Sequence, residues 1–202
     1  MRDCMVSQIC RVAAVVMLCC AASPVLGQKG SSVCPTAGIT VTIRTASAIE
    51  VVNVYHGADP ADPVVCLLTQ STGGTSGSDL RRLYNIVDAK TNDTPEVRAA
   101  LQAFVSGRMD PVRFTNTRMS GNGTGPYTYE NTLRRAGHEI ISVAGKAIDA
   151  DIIDLSISVN GMTGTVRLWS DPLSRLIVKS DAGGGSFFPT SSTWQAISIT
   201  SK

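Results

Sequence analysis

Two histidines are all the imidazole chemistry this chain can offer, and one of them, His56, opens the stretch His56-Gly-Ala-Asp59-Pro-Ala-Asp62-Pro63. A histidine held by a carboxylate is two parts of a nucleophilic triad, so His56 with Asp59 or Asp62 is the arrangement from which a hydrolase would be built. No Gly-x-Ser-x-Gly elbow accompanies them. Histidine beside loop aspartates is common without catalysis, and no residue is assigned a catalytic role on this pattern. His138, next to Glu139 in an apolar-rich segment, reads as a cross-strand pairing residue.

Three carboxylates, Asp149, Asp151 and Asp154, lie close enough in sequence to suggest a hard-cation site. The glycine and terminal glutamate of a helix-loop-helix calcium site are absent at the required offsets. Side-chain alternation along a strand also puts Asp154 on the opposite face from the other two. A solvated turn is the expected reading, with no metal and no cofactor.

Cysteine chemistry is more informative. Residues 1–27 carry Arg2 and Arg11, an uncharged apolar run from Val12 to Ala22, then Ser23-Pro24 and a small-residue exit at Gly27. This is the layout of a cleaved secretory signal peptide, and the run is too short to cross a bilayer core of about 30 Å. Met17-Leu18 before Cys19 fits a lipidation box poorly, so Cys19 and Cys20 are expected to leave with the signal rather than to be lipidated. Cys34 and Cys66 then remain, and in an oxidising compartment they are expected to bond. The bridge would close a loop of about 30 residues and contribute about 3 to 4 kcal/mol on the chain-entropy account. The alternative is a pair of buried free thiols.

Signal removal takes two of the 18 basic and one of the 16 acidic residues, leaving 16 and 15. Such balance argues against nucleic acid as a partner, which calls for a basic stripe. The local pairs Arg81-Arg82 and Arg134-Arg135 read as solvated faces. Residues 28–202 suit one exported domain, periplasmic or secreted, with no later apolar run long enough to span a membrane as a helix.

The elements that would position any site are mostly strands. Ile39–Arg44, Ile49–Tyr55, Val64–Gln70 and Val112–Met119 are rich in β-branched residues, as are YTYENTLRR, HEIISVA, DIIDLSISV, GTVRLWS, RLIVKS and TWQAISIT farther on. One helix stands out, with Thr94 as N-cap, Pro95 at its first position, Glu96 in its first turn and Gly107 just beyond its end. Val97, Leu101, Phe104 and Val105 form its apolar stripe, which must be buried against a sheet. His56–Pro63, Ser71–Asp79, Ser120–Gly125 and Asp181–Ser192 read as loops.

The stretch GTVRLWSDPLSRLIVKSD reads as a hairpin turned by Asp171 and Pro172 in type I fashion. Val166 and Leu168 share one face, Arg167 and Trp169 the other. After the turn, Leu176 and Val178 oppose Ile177 and Lys179. Apolar groups on both faces imply core on one side and a helix, partner or apolar ligand on the other.

From Glu139 to Lys179 the order of charged-apolar strand, VAGKAID, apolar strand and RLWSDPLSRLIVKSD resembles the closing half of uncharacterised exported bacterial domains related to the lipoprotein-carrier superfamily. Those domains read Val-Pro-Ala-Gly-x-Phe and Trp-x-Asp-Pro-x-x-Gly-Leu-x-x-Lys. Here Val143-Ala144-Gly145 lacks the proline, Ile148 stands where an aromatic is expected, and Ser174 is read at the turn glycine. The resemblance implies an unclosed antiparallel barrel around a helix, able to hold an acyl chain.

The sequence therefore leads to an α+β, mostly β chain: an antiparallel unclosed barrel or strongly curved sheet packed on one helix. Its expected function is non-enzymatic, binding an apolar small molecule such as a lipid, or an envelope partner, with Trp169, Leu168, Val166 and Phe104 as ligand-binding residues. The alternative is the hydrolase built on His56.

Overall fold

The computed structural model describes residues 32–119, 126–183 and 192–201. The strands form where β-branched and polar residues alternate, as in β1 (Ile39–Thr45), where Val41, Ile43 and Thr45 are buried. From there the chain runs through β2 (Glu50–Asp59), β3 (Asp62–Thr72), β4 (Ser78–Leu83) and β5 (Val87–Asp88), each antiparallel to the one before. Two helices follow, α1 (Ala89–Asn92) and α2 (Pro95–Val105). A second meander then returns through β6 (Val112–Met119), β7 (Pro126–Val143), β8 (Lys146–Val159), β9 (Met162–Ser170), β10 (Ile177–Ala182) and β11 (Trp194–Ser201). The last strand pairs with the first, Ile39 opposite Ser201 and Thr45 opposite Trp194.

The result is one eleven-stranded sheet whose edges are β5 and β6. Those edges do not pair, so the barrel stays open, and the two helices are the connection between them. This is the unclosed antiparallel architecture expected from the sequence. Helix α2 begins as its sequence dictates: the Thr94 hydroxyl accepts from the Val97 amide at 3.2 Å, and Pro95 spends no amide in the first turn. Gly107, at φ +72°, supplies the left-handed residue past its end.

Buried apolar side chains gather in two clusters. The first takes Val97, Leu101 and Phe104 of α2 against Leu83, Val112, Phe114, Leu133, Ile153, Leu168 and Ile177. The second has no helical member and joins Val41, Ile43, Tyr55 and Leu68 to Ile141, Val143, Trp169 and Val178. Trp194 borders both. Cys34 and Cys66 are bonded, with Cα atoms 5.2 Å apart. This ties the start of the described chain to β3, and neighbouring Val33 packs against the first cluster.

Several local expectations need correction. The stretch His56–Pro63 is not a loop: β2 runs to Asp59 and β3 starts at Asp62, leaving Pro60-Ala61 as the tip. Pro60 sits in the tip itself, and Pro63 is accommodated because residues 63–65 lie between the paired positions Asp62 and Cys66 and have no partner on β2. Segments YTYENTLRR and HEIISVA are one strand, β7, kinked between Arg135 and Gly137, where Gly137 takes φ +109°. The aspartates 149, 151 and 154 lie within β8 rather than in a turn. The hairpin turn after β9 is longer than type I, with the Asp171 amide bonding the Leu176 carbonyl at 2.8 Å. The left-handed residue in it is Arg175 at φ +61°, so Arg175, not Ser174, stands where glycine would be easiest. Strands β4 and β5 were not anticipated. They meet in a Leu83–Ile86 turn with Tyr84 and Asn85 both at positive φ, the type I′ form. Of the expected loop Asp181–Ser192, Asp181 and Ala182 end β10 and residues 184–191 lie outside the described residues, as do the expected loop 120–125 and the signal segment.

Candidate ligand cavity

Curling the sheet brings two wings face to face, and α2 fills only part of the space between them. Beyond the helix lies an open cavity of about 550 Å³ to which α2 contributes no lining residue. One wall comes from β8 and β9, where Leu155 and Ile157 stand beside Val166 and Leu168. The register pairs Leu155 with Val166 but Ile157 with Gly164, so one position on this wall carries no side chain. The facing wall comes from β1 to β4 and is mixed: Ile43 and Val51 with Gln70, Thr72 and Arg82. Pairing of Ile43 with Val51 and Val51 with Thr72 puts these groups on a common face. The I′ turn after β4 adds Ile86 to the rim.

Of the expected ligand-binding residues, Val166 and Leu168 line this cavity and Trp169 and Phe104 do not. Alternation along β9 sends Trp169 to the opposite face. There it is 4% exposed, its indole N–H donates to Glu139 at 2.7 Å, and the Lys179 ammonium sits 4.0 Å from the ring centroid. The second apolar face of the hairpin is thus covered by the protein itself, in the cluster with Ile141 and Val143. Phe104 is 1% exposed and belongs to the helix-filled core, with the Arg135 guanidinium 4.5 Å from its ring centroid.

Arg82 was read as part of a solvated pair, and the structure separates the two. Arg81 faces out and pairs with Asp59, whereas Arg82 lines the cavity. A signal for this existed: on a half-buried strand, adjacent residues point to opposite faces, so one arginine of the pair had to face inward. Beside it, burial pushes the Tyr55 hydroxyl up from its ordinary pKa, while the Arg82 charge pulls the other way.

The hydrolase residues are not assembled. His56 Nε2 lies 2.8 Å from the Thr69 hydroxyl, which donates its proton to Asp79 at 2.8 Å. A hydroxyl that donates to Asp79 must accept from His56, so the imidazole acts here as donor rather than base. Asp59 is held by the Ala61 amide and Arg81, and Asp62 by Arg98, which lowers both carboxyls from their ordinary pKa. Neither orients His56; they tie the β2–β3 tip to β4 and to the start of α2, where Arg98 also binds Asp93.

The carboxylates of β8 are likewise engaged. Asp154 is buried on the outer face, with Arg167 Nε at 2.7 Å and Arg134 at 2.9 Å. The two guanidiniums, Arg167 foremost, hold its carboxyl below the ordinary value. Asp151 lies 3.6 Å from His138, the cross-strand pair expected of that histidine. Among the described residues no group of three His, Cys, Asp or Glu is placed to hold a metal ion, and no helix is long and apolar enough to cross a membrane.

No family model matches the chain, and no curated protein matches it. Among solved structures, the hypothetical lipoprotein YmcC from Escherichia coli (K12) is similar to it, at 16% identity and a TM-score of 0.45, over 72% of this chain and 79% of that one.

Proposed function

We propose that this chain is an exported, non-enzymatic binding protein whose cavity takes an apolar ligand such as a lipid. The carrying observation is the open space of about 550 Å³ with a wholly aliphatic wall of Leu155, Ile157, Val166 and Leu168. Its size lies within the range of small-molecule sites, and an aliphatic wall with a few polar groups opposite is their usual lining. Export is supported by the Cys34–Cys66 bond, which persists in oxidising compartments. The hydrolase alternative has no comparable support, because His56 faces a hydroxyl whose proton is committed to Asp79.

The test is native mass spectrometry of protein purified from its own cell envelope, combined with titration of a fluorescent fatty acid. Co-purifying lipid or saturable uptake at one site is expected. Absence of both would overturn the reading.

A further inference from the structure

Charge in the cavity is one-sided. Arg82 is the only ionisable side chain among the described lining residues, the rest being alkyl, hydroxyl, amide and indole groups. Five other arginines of the sheet and helix meet carboxylates: Arg44 with Glu50, Arg81 with Asp59, Arg98 with Asp62, and Arg134 and Arg167 with Asp154. Arg113 of β6 has no such partner among the described residues, but it is exposed to water. Arg82 makes no ion pair among the described residues, although it is partly buried. A guanidinium withdrawn from water without an anion is costly, and its planar fork is shaped to take two oxygens of a carboxylate or phosphate. The Gln70 amide on the same wall is already donating to Asn53 at 3.0 Å, which leaves Arg82 as the strong donor.

We propose that the ligand is a single-headed anionic amphiphile, its carboxylate or phosphate on Arg82 and its alkyl chain along Leu155, Ile157, Val166 and Leu168. This rests on the apolar-ligand reading above and adds the head-group chemistry to it. The aliphatic wall offers no side-chain hydrogen bond and accepts only the tail. The mixed wall carries the one group that discriminates an ionised head from a neutral one.

The experiment uses the disulfide-intact protein and displacement of a fluorescent long-chain alcohol by hexadecanol, hexadecanoic acid and hexadecyl phosphate. Both anions should compete at least about tenfold better than hexadecanol, as expected for a charge-assisted hydrogen bond in a partly dry site. Whichever anion competes better names the head group. In Arg82→Gln the advantage should vanish while hexadecanol competes as before, and Arg82→Lys should keep part of it. Equal competition by all three in the unsubstituted protein overturns the anionic head and leaves the apolar-ligand reading intact. Failure of the neutral reporter to bind at all overturns that reading, and this one with it. An advantage that survives in Arg82→Gln, with an unchanged circular dichroism spectrum, removes Arg82 from the role.

Discussion

The two halves of the groove between the wings are built from overlapping strands yet end differently. In one half Val97, Leu101 and Phe104 of α2 fill most of the space, each at most 1% exposed, and the void left beside Phe104 is only about 60 Å³. In the other, Leu155 and Val166 are only half-buried and face a cavity. Length explains part of the difference. An eleven-residue helix is about 16 Å long, whereas the fourteen residues of β8 extend over about 46 Å. A plug of that size cannot cover the strand from end to end. The helix-filled half is thus the packed core, and the uncovered remainder is the part that the proposed function would use.

The sharpest way to break this contrast is to truncate the plug. Phe104→Ala should cost about 3 to 5 kcal/mol, and lower the midpoint of thermal unfolding by about 10 °C or more, because a close-packed site cannot collapse around the void. Calorimetry that found a loss below about 1 kcal/mol would show that the helix half is not tightly packed. Next comes the Cys34→Ser, Cys66→Ser pair, which releases the segment that brings Val33 onto the same cluster. A loss of about 3 to 4 kcal/mol in chemical denaturation is expected, with the slope against denaturant as the check on unfolded-state compactness.

On the outer face behind the cavity wall, Asp154 clamps β7 to β9 through Arg134 and Arg167. Its carboxyl is held below the unfolded value of about 4, so its stabilising effect is complete above that pH and is lost as pH falls through the lower, folded value. Asp154→Asn should therefore cost about 1 kcal/mol at neutral pH and flatten the acid limb of the stability profile. An acid limb identical to that of the parent protein would count against the clamp. The smallest effect on stability is expected at the cavity itself. Val166→Ala should cost under about 1 kcal/mol, since its side chain is already part-exposed. Val166→Phe should leave the unfolding midpoint nearly unchanged while abolishing uptake of a fluorescent fatty acid. Large destabilisation by both would mean that the wall is core rather than lining.

How much of this was legible depended on the range of the forces involved. The helix could be read from Thr94, Pro95, Glu96 and Gly107 because a cap is a contact within one turn. The alternating strands around Ile39–Arg44 were equally readable, and so was the bond between Cys34 and Cys66. Strand β4 was hidden because Ser78–Leu83 carries two arginines and little apolar alternation. It exists because β3 offers it a ladder, Val65 to Leu83 and Gln70 to Ser78. Within the site, Val166 and Leu168 were found together by alternation alone, whereas Trp169 and Phe104 were grouped with them only because they are large and apolar.

By itself the sequence determined the periods: which stretches alternate, and where one helix begins and ends. Each of those follows from contacts between near neighbours. Tertiary structure alone decided which face of each strand became the inside. That choice rests on pairings between distant segments, such as β1 with β11, and on where a short helix comes to rest. It turned Arg82 inward and Arg81 outward, put Trp169 behind the wall that Val166 forms, and drew Asp59, Asp62 and Asp154 onto arginines. Local pattern is blind to such outcomes because a strand of period two has two equivalent faces until something packs against one of them.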